Sequence, residues 1–139
     1  MNILIVDDEE AVLAALGMVI HHLGMMSVHA ACGEEALALV EVHTFDLILL
    51  DMSMPRMSGL EVLRCLRQNE RTREVPVIFL TGQQEPELKA EALALGAVDY
   101  LSKPFDLAAL SGSIRLALPI SSFYGDLTAQ TQTEKLCPA

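Results

Sequence analysis

The chain has 139 residues, 52% of them hydrophobic and 20% charged, with a formal charge of −10 and no tryptophan. That size and apolar share suit one compact domain whose core is packed by aliphatic side chains and Met. The acidic balance argues against nucleic acid and anionic membranes as direct partners, because phosphate binding needs clustered Lys and Arg.

The N-terminus enters an apolar run at once, NILIV, and then turns acidic, DDEE. A secretory signal needs a basic start and a longer apolar segment, and no run here reaches the roughly 18 residues that span a bilayer, so a cytoplasmic location is expected. Strands are predicted at Asn2–Val6, Met26–Ala31, Leu47–Leu50, Val75–Leu80 and, more weakly, Ala97–Leu101. Helical spacing separates them. Val12, Leu16, Val19, Ile20 and Leu23 form the first inward stripe, closed by Gly24. Glu34–Val42 is the second helix, with Ala36, Leu37 and Val40 inward; Ser58–Gln68 is the third, with Leu60, Leu63 and Leu66 inward. Pro86–Leu95 opens with proline and ends at Gly96, and Asp106 caps a fifth helix that runs to about Leu118 before Pro119.

Strict strand–helix alternation implies right-handed crossovers and a parallel sheet. Five strands and five helices point to a flavodoxin-like doubly wound (βα)5 sandwich, an α/β fold of strand order 2-1-3-4-5. The domain is expected over residues 1–118. Residues 119–139 are rich in Thr, Gln and Ser and read as a polar tail or linker stub, on which Phe123, Tyr124 and Leu127 are the groups able to dock.

In that strand order the first and third strands are neighbours at the topological switch point, where such sheets bind ligands. The first ends in Val6-Asp7-Asp8-Glu9 and the third in Asp51. Asp7, Asp8 and Asp51 therefore converge. Two carboxylates about 4 Å apart repel by around 4 kcal/mol at an effective dielectric near 20. A third calls for protonation or a cation, and hard oxygen ligands with open positions suit Mg²⁺, with Mn²⁺ as a substitute. A blander role competes for Asp7: followed by Glu10, it resembles a capping box for the first helix. Capping does not explain Asp51.

The fourth strand ends at Thr81-Gly82 and the fifth at Ser102-Lys103-Pro104-Phe105, which brings a hydroxyl and an ammonium to the same edge. The Lys103–Pro104 bond is a candidate for the cis isomer. A carboxylate nucleophile can become an acyl phosphate, and a cation, Lys103 and Thr81 can then bind the phosphoryl oxygens.

With these residues in order, the sequence resembles the receiver domain of bacterial two-component and phosphorelay response regulators. The match covers about Asn2 to Leu118 and rests on Asp7-Asp8, Asp51 with M-S-M-P-R-M-S-G after it, Thr81-Gly82, and Tyr100 followed by Lys103-Pro104-Phe105. The resemblance implies Asp51 as phosphoacceptor from a phosphohistidine. It implies Asp8 as direct Mg²⁺ ligand, Asp7 mainly through water, and Ser53 through its backbone carbonyl. Lys103 would bind a phosphoryl oxygen, while Thr81 and Tyr100 would act as the switch pair. Ser53 and Gln83 fall at variable positions of the family thought to tune the lifetime of the phosphoryl group. The partners implied are a sensor histidine kinase or phosphotransfer protein, and a downstream protein bound by the fourth helix, fifth strand and fifth helix. On this reading the chain is a switch rather than a turnover enzyme. It acts by protein contact or as the receiver fragment of a longer regulator or hybrid kinase.

Leu13, Ala14, Gly17 and Met18 fall outside the expected inward stripe of the first helix; they are either the ordinary apolar excess of a small domain or, as the family likeness implies, a docking surface for the phosphodonor. Cys32, Cys65 and Cys137 are scattered and expected as reduced thiols; His21, His22, His29 and His43 form no metal pattern. A phosphatase of the haloacid dehalogenase type wants a second Asp two residues after the nucleophile, where Ser53 stands, and a cap for which there is no room.

Overall fold

The structure, a computed structural model, describes residues 1–82 and 86–118. The strands are β1 (Asn2–Val6), β2 (Met26–Ala30), β3 (Leu47–Asp51), β4 (Val77–Thr81) and β5 (Asp99–Ser102). The helices are α1 (Glu10–His22), α2 (Gly33–Val42), α3 (Gly59–Gln68), α4 (Pro86–Ala94) and α5 (Leu107–Ala117). All four strand pairings are parallel and the sheet order is β2-β1-β3-β4-β5, the expected doubly wound arrangement.

Alternation along each strand divides the core into two layers. Leu4, Val6, Ile48, Leu50, Val77 and Phe79 face α2, α3 and α4, meeting Ala36, Val40, Leu63, Leu66 and Ala92. Ile3, Ile5, Leu47, Leu49, Ile78 and Leu80 face α1 and α5, meeting Leu16, Ile20, Leu110 and Ile114. Every residue of β3 and of β4 is buried, which explains why these strands read as unbroken apolar runs.

The structure corrects several details. Leu13 is only 7% exposed and belongs to the inward face of α1 with Leu16 and Ile20, while Val12, Val19 and Leu23 lie at its margins. The true stripe is rotated from the expected one and takes in Leu13, which packs in the same core cluster as Leu16 and Ile20. Met18, 73% exposed, does lie on the outer face. The capping box expected at Asp7 and Glu10 does not form: Glu9 is the N-cap of α1 and makes no side-chain capping bond. Asp7 lies two residues before the N-cap and instead accepts the Glu9 N–H at 2.9 Å. A complete capping box occurs at α3, where the Ser58 hydroxyl and the Glu61 carboxylate each accept the other's backbone N–H. Asp106 caps α5 as expected, accepting from Ala108.

β4 starts two residues late, since the Val75 N–H closes a turn on Thr72 and Pro76 has no N–H to give. β5 likewise starts at Asp99, because the Ala97 N–H finishes the end of α4 on Ala92. Among the described residues no helix is long and apolar enough to cross a membrane. Cys32 and Cys65 are free thiols. The predicted tail with Phe123, Tyr124 and Leu127, together with Cys137 and Gln83, lies outside the described residues.

Candidate functional site

β1 and β3 run side by side in register from Ile3↔Leu47 to Val6↔Leu50, so Asp7 and Asp51 leave the sheet together. Oxygens of Asp7, Asp8 and Asp51 lie within 4.8 Å of one another; Asp7 and Asp51 are buried and Asp8 is exposed. Lys103, at the end of β5, reaches across the edge to this group. Its Nζ donates to Asp7 Oδ2 at 2.8 Å and to Asp51 Oδ1 at 3.3 Å, and stands 3.8 Å from Glu9 Oε1.

Two buried carboxylates thus share one ammonium, which leaves negative charge uncompensated. Asp51 shows the consequence: burial, and then the Asp7 charge, push its carboxyl from 3.8 up to about 6, against the opposing pull of Lys103 and the Ser53 N–H. For Lys103, burial disfavours the charge, yet the hydrogen bond with Asp7 and the charges of Asp51 and Asp7 outweigh it and raise the ammonium above its usual value. The lysine is therefore cationic at neutral pH.

The backbone fixes this arrangement. Asp51 is followed by Met52 and Met54, both buried, so Ser53 points outward and is exposed. The loop closes where the Gly59 N–H donates to Met52 O at 2.9 Å. A Cβ on Gly59 would run into the Asp51 carbonyl and the Phe79 ring, so only glycine lets α3 start this close to the acid. Thr81 is buried at the end of β4, whose register pairs Leu80 with Asp51 and Thr81 with Ser102. The Lys103 N–H donates to the Thr81 carbonyl at 2.5 Å, and the Lys103–Pro104 bond is cis. Tyr100 is half-buried on β5, its ring 6.3 Å from that of Phe79, and its buried hydroxyl has no partner among the described residues.

Asp7, Asp8, Asp51, Thr81 and Lys103 are therefore gathered at one sheet edge, with Tyr100 two strands away from Asp51 and its hydroxyl uncommitted. Glu9 is the acid that sequence reasoning did not bring into the cluster. The acidic run DDEE was the available signal, but only the fold shows that Glu9 comes within reach of Lys103.

A family model for the response regulator receiver domain matches residues 3–115. The chain belongs to the response regulator receiver family. It is similar to the chemotaxis protein CheY4 of Vibrio cholerae, with 32% identity and a TM-score of 0.80 over 84% of this chain and 98% of that one. It is also similar to the receiver domain of the sensor histidine kinase PA1611 of Pseudomonas aeruginosa, a structure with a magnesium ion coordinated in its active-site cleft. There the identity is 30% and the TM-score 0.76, over 84% of this chain and 95% of that one. The transcriptional regulatory protein DltR of Streptococcus agalactiae is 37% identical over 122 residues, covering 88% of this chain and 54% of DltR. A probable cyclic di-GMP phosphodiesterase of Vibrio cholerae is 38% identical over 117 residues, 84% of this chain but 26% of that protein. The chain spans about half the length, or less, of the curated relatives it matches. As a receiver domain it belongs to two-component signalling, and its family works as a signalling switch.

Proposed function

We propose that this receiver accepts a phosphoryl group on Asp51 from a phosphohistidine and thereby changes its protein-binding surface. One observation carries the reading: a buried carboxylate at a strand end, held above its usual pKa beside Asp7 and within reach of the Lys103 ammonium. An Asp51 oxygen forms the new O–P bond as the P–N bond to the donor imidazole breaks, and the bonding pair returns to the imidazole nitrogen.

The oxygen-rich cluster, with its uncompensated negative charge, fits a hard divalent cation. Asp8 and Asp51 would hold Mg²⁺ directly, Asp7 mainly through water, and Ser53 through its backbone carbonyl; Mn²⁺ can substitute. When bound, the cation supplies neutralisation of the cluster and of the phosphoryl oxygens. Lys103 would move its hydrogen bond from the Asp51 carboxylate to a phosphoryl oxygen, and Thr81 would donate to another. Each such charge-assisted bond is worth about 1.5–3 kcal/mol. Moving a two-state equilibrium from 1:99 to 99:1 takes about 5.5 kcal/mol, so two or three bonds made in only one state are enough. Tyr100, whose hydroxyl has no partner among the described residues, would exchange orientation with Thr81 and carry the change to α4, β5 and α5.

The donors proposed are a sensor histidine kinase or a histidine phosphotransfer protein, met in the cytoplasm, and the readout is a downstream protein. Residues 1–118 would form the whole switch, with 119–139 as tail or linker. The test is transfer of label from a phosphohistidine donor to wild type and Asp51→Asn. Transfer to wild type alone supports the reading; equal labelling of both variants refutes it.

A further inference from the structure

Resting on that switch reading, we propose that Arg67 is a positioning residue of the switch, a fixed anchor for the C-terminal end of α4 about which the start of that helix moves. Arg67 stands in the last turn of α3 and is half-buried. Its Nε donates to Leu95 O at 2.8 Å and its Nη2 to Gly96 O at 3.3 Å, the carbonyls just past the end of α4. Its Nη1 donates to Thr72 O at 3.2 Å and Val75 O at 2.9 Å, in the segment leading into β4. One planar fork thus joins three pieces of chain, a task the single ammonium of lysine cannot repeat.

The rest of α4 is held unevenly. Its C-terminal end is closed by bonds from Gly96 N to Leu93 O at 3.0 Å and from Ala97 N to Ala92 O at 3.0 Å, with Gly96 at φ +91, the pattern of a Schellman stop. Ala92 is the one buried residue of α4, and Glu91 pairs with Arg64 of α3. Over the first turns, Pro86, Glu87, Lys89 and Ala90 are exposed and only Leu88 is half-buried. The more exposed end is also the one that follows Thr81 in the chain. A rearrangement at Thr81 therefore meets a helix exposed over its first turns and clamped at its end, and the response is a tilt rather than a translation.

Hydrogen–deuterium exchange tests this on the full chain, comparing residues 86–90 with 91–97, before and after acetyl phosphate with Mg²⁺. In wild type, phosphorylation is expected to change exchange at 86–90 and leave 91–97 unaltered. In Arg67→Met the 91–97 segment should exchange at least about tenfold faster before any phosphorylation, the loss expected when bonds to a charged donor are removed. After phosphorylation both segments should change. Arg67→Lys serves if the Met variant fails to fold, and Glu91→Gln should leave 91–97 protected. The proposal is overturned if phosphorylation alters 91–97 of wild type as much as 86–90. Unchanged protection of 91–97 in both Arg67 variants overturns it too, as does equal loosening in Glu91→Gln. Absence of label on wild type would instead count against the phosphoacceptor reading, and the Arg67 comparison without phosphate still decides whether the anchor exists.

Discussion

Replacing Asp51 by Asn should make the metal-free protein more stable at neutral pH. In the folded chain the Asp51 carboxyl is raised from 3.8 to about 6, so its charged form is disfavoured relative to the unfolded chain. Taken at face value, the displacement costs the ionised state about 3 kcal/mol. Asp8 beside it is exposed and water reaches the cluster, which screens the charge and brings the expected gain down to about 1–2 kcal/mol. Asn keeps the shape and removes the charge, while Lys103 retains Asp7 at 2.8 Å. For a domain of this size the gain corresponds to a Tm rise of roughly 4–8 °C. The sign of the pH dependence follows. Between 3.8 and about 6 the folded state binds the Asp51 proton more tightly than the unfolded state does, so this group's contribution is fully present at low pH and is lost as pH rises through about 6. The Tm advantage of Asp51→Asn should therefore shrink as pH falls from 7.5 to 5, and also shrink at pH 7.5 as Mg²⁺ is added. Differential scanning fluorimetry of both variants measures it. An Asn variant less stable than wild type at pH 7.5, or an advantage indifferent to pH, would refute the claim that the cluster strains the ionised acid.

Lys103→Met removes the ammonium shared by Asp7 and Asp51; it should abolish phosphorylation-dependent binding of a target, read by calorimetry, and lower stability as two buried carboxylates lose their counter-charge. Met18→Glu, on the outer face of α1, should slow transfer from a protein donor yet spare labelling by acetyl phosphate, and equal loss with both would place docking elsewhere. Gly59→Ala should destabilise by about 1–3 kcal/mol in chemical denaturation and weaken Mg²⁺ binding, because the added methyl presses on the Asp51 backbone. Gly112→Ala in α5 meets open space and should instead gain about 0.5–1 kcal/mol.

The fold was legible because each element advertised itself through patterns that local chemistry controls. The fully buried β3 and β4 read as apolar runs, and alternation with helical stripes then left little choice of topology. The site was legible for the same reason: its acids, hydroxyl and lysine all sit at strand ends, where topology alone brings them together. What escaped were features set by tertiary contact. The inward face of α1 takes in Leu13, and α1 is apolar enough on several faces for periodicity to be ambiguous. Asp7 looked like a capping residue because its spacing to Glu10 fits a capping box, but α1 begins two residues later at the Glu9 N-cap, and the Asp7 carboxylate is taken by the Glu9 N–H and Lys103. The Ser58–Glu61 box was written in the sequence as Ser-x-x-Glu, whereas the Arg67 anchor, joining elements 28 residues apart, left no local trace.

The most direct measurement is intact-mass and peptide-mapping mass spectrometry of the chain after incubation with acetyl phosphate, with and without Mg²⁺. The expected result is one phosphoryl group, dependent on Mg²⁺, mapped to Asp51 and absent from Asp51→Asn. A wild-type chain that stays unmodified with the metal present, or a label that maps to another residue, would contradict the account.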